Sequence, residues 1–95
     1  PAVIGLGLQE LQRYDVGRIK PGSEYSNRFP EQRRMDRVRI PTLEQVFDLV
    51  RHARNDAVRF NIETKVSPLA PEETLPPDAF ARTLVKAVRD AGLAA

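Results

Sequence analysis

The chain has 95 residues and a mass of 10.7 kDa, which allows one small domain or one part of a larger domain. Hydrophobic residues make up 41% and charged residues 29%, a composition typical of folded chains rather than disordered ones. Cysteine is absent and His52 is the sole histidine, which excludes disulfides, cysteine-type zinc sites and any mechanism needing two imidazoles from this chain. No apolar run is long enough to cross a bilayer, so we expect no membrane span.

The charges are nearly balanced, with fifteen basic and thirteen acidic residues and a net charge of +2. The pI of 9.4 alone would suggest a nucleic-acid partner. The one local concentration of charge is an arginine segment, and no aromatic side chains interleave with it as a stacking platform requires: Arg33, Arg34, Arg37 and Arg39. We interpret this segment as a solvated loop and expect no nucleic-acid partner. Anion or nucleic-acid binding by the loop is a weaker alternative.

Residues 1–40 form an irregular segment punctuated by glycine and proline. Within it, the pattern predicts a short helix near residues 8–15, which Gly17 is placed to end as a left-handed cap. Residues 25–29 can form one more helical turn before Pro30 stops it.

Residues 41–95 carry stronger signals, beginning with a predicted helix over residues 42–54. Thr42 followed by Gln45 is a capping-box pattern at its start. Apolar side chains then recur at the three- and four-residue spacing of a helix that covers a core: Leu43, Val46, Phe47, Val50 and Ala53.

The next two predicted elements are a strand and a helix. Residues 57–65 alternate, with Val58, Phe60 and Ile62 on the apolar face, so we predict a strand there. A proline-rich loop leads to a helix predicted over residues 78–91, with its apolar stripe on one side and Gly92 at the C′ position that follows the helix.

The order helix, strand, helix predicts an α/β fold. A lone strand cannot cover the apolar stripes of two helices. We therefore expect either an internal segment of a larger parallel α/β fold or a module that pairs with other chains.

The polar face of the predicted strand carries Asn61, Glu63 and Lys65. A carboxylate and an ammonium two residues apart on one face could bind a divalent cation and an anionic substrate, respectively. The alternative is an ordinary strand whose polar face meets water, and the residue pattern by itself favours this alternative.

A family resemblance instead favours the functional interpretation of this polar face. The run RIPTLEQVFDLV (Arg39–Val50) followed by FNIETK (Phe60–Lys65) resembles the glycerophosphodiester phosphodiesterase family, whose members carry an IPTLEE-type helix start and a strand ending in E-x-K. Upstream, LQELQRYDVG (Leu8–Gly17) is similar to the family's L-x-x-LDAG segment, with Tyr14 where leucine is commoner. The intervening run is similar to a longer insertion of some bacterial members, so the resemblance spans essentially the whole chain.

The resemblance implies part of a TIM (β/α)8 barrel, about two βα units plus an irregular insertion formed by residues 1–40. It implies a metal-dependent hydrolase that converts glycerophosphodiesters, which are small-molecule substrates, to an alcohol and glycerol 3-phosphate. Glu63 matches the family's metal ligand, for magnesium or calcium, and Lys65 matches the motif lysine that binds the substrate phosphate. Asp15 and Gly17 could border the substrate, or could simply end the helix and pair Asp15 with Arg18.

The family's two catalytic histidines come from an HRG-type and an HD-type motif, and neither motif is in this chain. His52 lies in the run RHAR, outside any such motif, and we interpret it as a surface or helix-packing residue. We assign no catalytic residue here and expect this segment alone to be inactive, with weak metal binding at best. The oligomeric state stays open, and the alternative function is a non-catalytic α/β binding module that oligomerises through unpaired strand edges.

Overall fold

The computed structural model describes residues 2–93, which contain four α-helices and two single turns of 3₁₀ helix. The α-helices are Leu8–Leu11 (α1), Glu24–Arg28 (α2), Leu43–His52 (α3) and Pro77–Asp90 (α4). The 3₁₀ turns are Val3–Gly5 and Pro71–Glu73. The chain divides into an insertion unit, Gly7–Ile40, and a main unit, which comprises the residues up to Leu6 and those from Pro41 onward.

No strand is present among residues 2–93, so the predicted α/β class and the partial TIM barrel are wrong. The alternating segment predicted as a strand, residues 57–65, begins in a turn and then continues without helix, turn or bend. A strand requires a ladder of backbone hydrogen bonds to a neighbour. No backbone hydrogen bond joins residues 58–66 to another described residue, so the alternation exists without a sheet.

Helix α3 begins where the sequence places its cap. The Thr42 hydroxyl accepts a hydrogen bond from the Gln45 N–H at 3.1 Å, and the Thr42 N–H donates to the Gln45 side-chain oxygen at 2.8 Å, which confirms the capping box. The helix ends at His52, where the pattern predicts residue 54. Arg54 follows with a φ of 51°, the left-handed conformation that closes the helix.

Helix α4 begins with Pro77 in its first turn, where the missing N–H has no helical partner to lose. Its C-terminal end is a Schellman motif. Gly92 adopts a φ of 71° and donates its N–H to the Arg89 carbonyl at 2.9 Å, and the Leu93 N–H bonds the Val88 carbonyl at 3.1 Å. The predicted C′ position of Gly92 is therefore confirmed.

The core of the main unit is small. Phe47 on α3 is the only buried side chain among residues 2–93, and the Phe60 ring meets it edge-on. The Arg51 guanidinium on α3 donates to the Ala91 carbonyl at 2.7 Å and so links the two longer helices. None of the helices in the described residues is long and apolar enough to cross a membrane.

The insertion unit contains the two short helices α1 and α2 and no buried residue. Within it, backbone hydrogen bonds run from the Val16 N–H to the Val38 carbonyl at 2.8 Å and from the Met35 N–H to the Gly17 carbonyl at 2.9 Å. These bonds bring the two ends of a long irregular loop together.

Candidate functional site

Glu63 and Lys65 lie in the non-helical segment between α3 and α4 and contact each other. The Lys65 Nζ is 3.8 Å from a Glu63 carboxylate oxygen, and the two side chains are 84% and 75% exposed. Asn61 is exposed as well. The polar face of the predicted strand therefore meets solvent, as the simpler interpretation of the alternation requires.

Local contacts hold the start of this segment in place. The Ala57 N–H donates to the Asn55 side-chain oxygen at 3.1 Å, and the Arg59 guanidinium donates to the Asp56 carbonyl at 3.2 Å. The Phe60 ring contacts Phe47 with centroids 5.0 Å apart. Because side chains alternate along an extended chain, seating Phe60 on α3 leaves Asn61 and Glu63 pointing away from the core.

The described residues do not form a complete metal site. Nowhere in residues 2–93 do three histidine, cysteine, aspartate or glutamate side chains come together in a way that could hold a metal ion. A hard divalent cation takes about six to eight oxygen ligands, and Glu63 supplies one carboxylate. The Lys65 ammonium beside it opposes a cation unless an anion lies between them. Glu63 can therefore contribute to a metal site only together with ligands from outside these residues.

His52 is the last residue of α3, and its ring Nδ1 lies 2.7 Å from the Asp48 carbonyl oxygen one turn earlier. The ring is exposed. His52 therefore lies at the surface and is hydrogen-bonded to the backbone of its own helix.

An apolar groove of about 600 Å³ lies beside the segment, and Glu63 is not among the residues that line it. Its walls come from both long helices, from the chain just after α4 and from the segment, and they include one charged residue, Arg59, beside the apolar ones: Phe47, Val58, Phe60, Ile62, Leu84, Val88 and Leu93. The amphipathic spacing of the helices predicts these apolar stripes. It does not predict that they stay open to solvent.

The Asp15 carboxylate joins two parts of the insertion unit by hydrogen bonds to their backbone, an arrangement called here the Asp15 clasp. One carboxylate oxygen accepts the N–H groups of Gly17 at 3.0 Å and Val38 at 3.2 Å, and the other accepts the Arg37 N–H at 2.7 Å. These amides, that of Gly17 most strongly, lower the pKa of Asp15 below its ordinary value. The predicted pairing with Arg18 is wrong, because Arg18 bonds Asp36.

Gly17 is required by space and not by a left-handed backbone. Among the described glycines, positive φ occurs at Gly22 and Gly92, so the predicted left-handed cap at Gly17 is wrong. A Cβ at Gly17 would overlap the Met35 carbonyl oxygen and lie 2.6 Å from a Val38 methyl group. The D-x-G spacing of Asp15 and Gly17 is the sequence signal for this clasp, because an aspartate commonly binds the amide two residues on.

The arginine segment belongs to the same unit. Arg37 adopts a φ of 60°, and the Arg39 guanidinium donates to the Arg13 carbonyl at 3.3 Å. Arg33 and Arg34 are exposed. Of the four arginine side chains, that of Arg39 therefore bonds within the insertion unit.

No protein-family model, curated protein or solved structure matches this chain. The phosphodiesterase resemblance therefore rests on the three motifs in the sequence.

Proposed function

We propose that this chain is a segment of a metal-dependent glycerophosphodiester phosphodiesterase, which hydrolyses glycerophosphodiesters to an alcohol and glycerol 3-phosphate. The observation that carries the proposal is the exposed Glu63–Lys65 pair on one face of the segment that follows α3. This pair is the E-x-K ending of the family resemblance. The capped helix with the IPTLEE-type start precedes it in the chain.

The chemistry of the two side chains suits a phosphodiester. Lys65 presents a point charge that can bind a phosphoryl oxygen, and its long side chain is exposed. Glu63 offers carboxylate oxygens, the ligands that magnesium and calcium prefer. The remaining metal ligands and both proton-transfer groups would come from other parts of the same protein, so the segment by itself has no turnover.

The test uses the complete protein that contains this chain. We expect Glu63→Gln to lower kcat/KM and to raise the concentration of magnesium or calcium needed for half-maximal activity. We expect Lys65→Ala to raise KM for the diester with a smaller change in the response to metal. Glu72→Gln, a charge removal in the 3₁₀ turn before α4, is the matched control and should leave both quantities unchanged.

Two results would contradict the proposal. One is a Glu63→Gln variant whose activity and metal response equal those of the parent. The other is a complete protein with no HRG-type or HD-type motif upstream of this chain, because diester hydrolysis needs proton transfer at both the attacking and the leaving oxygen.

A further inference from the structure

Residues 58–66, the edge segment, have the properties of an edge strand. The apolar side chains Val58, Phe60 and Ile62 line the groove, and Asn61 and Glu63 on the other face are exposed. No backbone hydrogen bond connects the edge segment to any other described residue. A segment with alternating faces, whose backbone donors and acceptors bond no other backbone group, is a template for pairing with another strand.

The surface area of the chain shows that much of it remains uncovered. The chain exposes 8511 Å², whereas a folded monomer of its mass exposes about 5,500 Å². Two separately folded units of the same total mass would expose about 6,600 Å², so the excess does not depend on how the units are arranged. A standard stable interface covers about 800 Å² of each partner, which is less than this excess.

The charges of the edge segment are complementary to those of the same segment in a second copy, which makes a second copy a suitable partner. In an antiparallel pair related by a two-fold axis through Asn61, Arg59 of each copy is opposite Glu63 of the other. Its guanidinium would exchange the Asp56 and Val58 carbonyls, which it binds in this structure, for that carboxylate. The same register places Phe60 opposite Ile62 on the apolar face. Each favourable contact then occurs twice, because a two-fold interface repeats every contact.

Three nearby registers lack these ion pairs. An axis at Phe60 sets Arg59 against Asn61 and Glu63 against Ala57. A two-fold axis at Ile62 sets Arg59 against Lys65, two like charges. An axis at Glu63 sets that carboxylate against its own copy. An axis halfway between two residues would set the apolar side chains of one copy against the polar side chains of the other.

We propose that the edge segment forms an antiparallel ladder with the same segment of a second copy, in the register centred on Asn61, and that the two copies cover each other's apolar grooves. The proposal does not rest on the phosphodiesterase function. Glu63 lies in this interface, so a metal ion bound at Glu63 under the proposed function would compete with pairing.

The experiment measures the mass of the full 95-residue chain by analytical ultracentrifugation over a concentration series, with a chelator present. We expect a reversible dimer. Arg59→Glu and Glu63→Arg should each weaken the dimer at least about tenfold, because each creates two like-charged pairs. The matched controls are Arg33→Glu and Glu72→Arg, which make the same charge changes at exposed positions outside the edge segment.

Mixing the two variants gives the decisive result. A heterodimer of Arg59→Glu with Glu63→Arg has opposite charges at both positions, so the mixture should regain the parent affinity while each variant alone does not. Helix content by circular dichroism identifies variants that fail to fold. A monomer at all concentrations would mean that another partner or another part of a longer protein covers the groove, and would overturn the proposal. A dimer whose affinity neither substitution changes would also overturn it, as would a mixture that does not regain the parent affinity.

Discussion

Phe60 meets Phe47 edge-on, with ring centroids 5.0 Å apart and ring planes at 80°. This is the favourable geometry for two aromatic rings, because the positive edge of one faces the negative face of the other. Phe47 is 3% exposed and is the one buried side chain in residues 2–93. The pair therefore joins α3 to the edge segment and forms the centre of the main unit's core.

The first prediction concerns how much the Phe47 ring contributes to the free energy of unfolding. Phe47→Ala removes a buried ring and should cost about 3–5 kcal/mol, comparable to the whole stability of a small unit. We expect loss of the cooperative urea transition followed by far-UV circular dichroism. Leu49→Ala is the matched control on the same helix, since Leu49 is 70% exposed, and should change stability by less than about 0.5 kcal/mol.

Equal transitions for the two variants would contradict this assignment of the core. A Phe60→Leu variant provides an intermediate case, because it keeps apolar volume but loses the aromatic geometry. We expect it to lower the free energy of unfolding by about 1 kcal/mol, part of which is the edge-to-face term.

The helices of the main unit could be predicted from sequence because their signals are local. Thr42 and Gln45 lie within one turn of each other, and Gly92 lies two residues after the end of α4, so a short stretch of sequence contains both partners of each interaction. Helical hydrogen bonds likewise join residues four apart. The sequence therefore contains nearly everything needed to place α3 and α4.

Whether the alternating segment forms part of a sheet could not be predicted in the same way. A strand needs a neighbouring strand, and the alternating pattern does not show whether the chain supplies one. Residues 58–66 have the right periodicity and no ladder among the described residues. The Asp15 clasp was missed for a related reason. Its Arg37 and Val38 amides are more than twenty residues away, and nothing local to them signals the contact.

The second prediction concerns the last turn of α3. Arg54 occupies the left-handed position with a φ of 51°, and its N–H and that of Asn55 bond the carbonyls of Arg51 and Val50. A side chain in this conformation carries a strain of about 1 kcal/mol that glycine avoids. Arg54→Gly should therefore raise the free energy of unfolding by about that amount in urea titrations.

Gly92→Ala provides the opposite case at the end of α4. Gly92 has a φ of 71°, and an added Cβ would meet no atom within 4 Å, so the substitution introduces backbone strain without a clash. We expect it to lower stability by about 1 kcal/mol. If both variants shifted stability in the same direction, the strain argument would fail.

The third prediction tests whether Gly17 is required because a side chain has no room there, rather than because of its backbone conformation. An added Cβ would overlap the Met35 carbonyl oxygen and crowd Val38, so Gly17→Ala must break the Met35–Gly17 hydrogen bond or displace Val38. We expect the Met35 amide to lose its protection from hydrogen exchange. Gly5→Ala is the control, because nothing lies within 4 Å of its added Cβ. An unchanged Met35 amide in Gly17→Ala would show that the loop ends are not packed as described.

The fourth prediction is a pH dependence of the insertion unit. Three backbone N–H groups stabilise the charged form of Asp15, so its folded pKa lies below the ordinary value of 3.8. The unfolded chain therefore takes up this proton at a higher pH than the folded chain does. The stability that Asp15 contributes is complete above that ordinary value and is lost as pH falls below it and through the folded pKa.

The amides of Arg37 and Val38 report this transition directly, because both donate to the Asp15 carboxylate. In an NMR titration from neutral to acid pH, we expect their proton shifts to move upfield together with a midpoint below 3.8 as the bonds weaken. Asp15→Asn should abolish that titration and lower the exchange protection of both amides even at neutral pH, because the amide oxygen carries no net charge. Asp56→Asn, which removes a carboxylate from the main unit, should leave both amides unchanged. A midpoint above the ordinary value would mean that the three donors do not stabilise the charged form and that Asp15 does not close the loop.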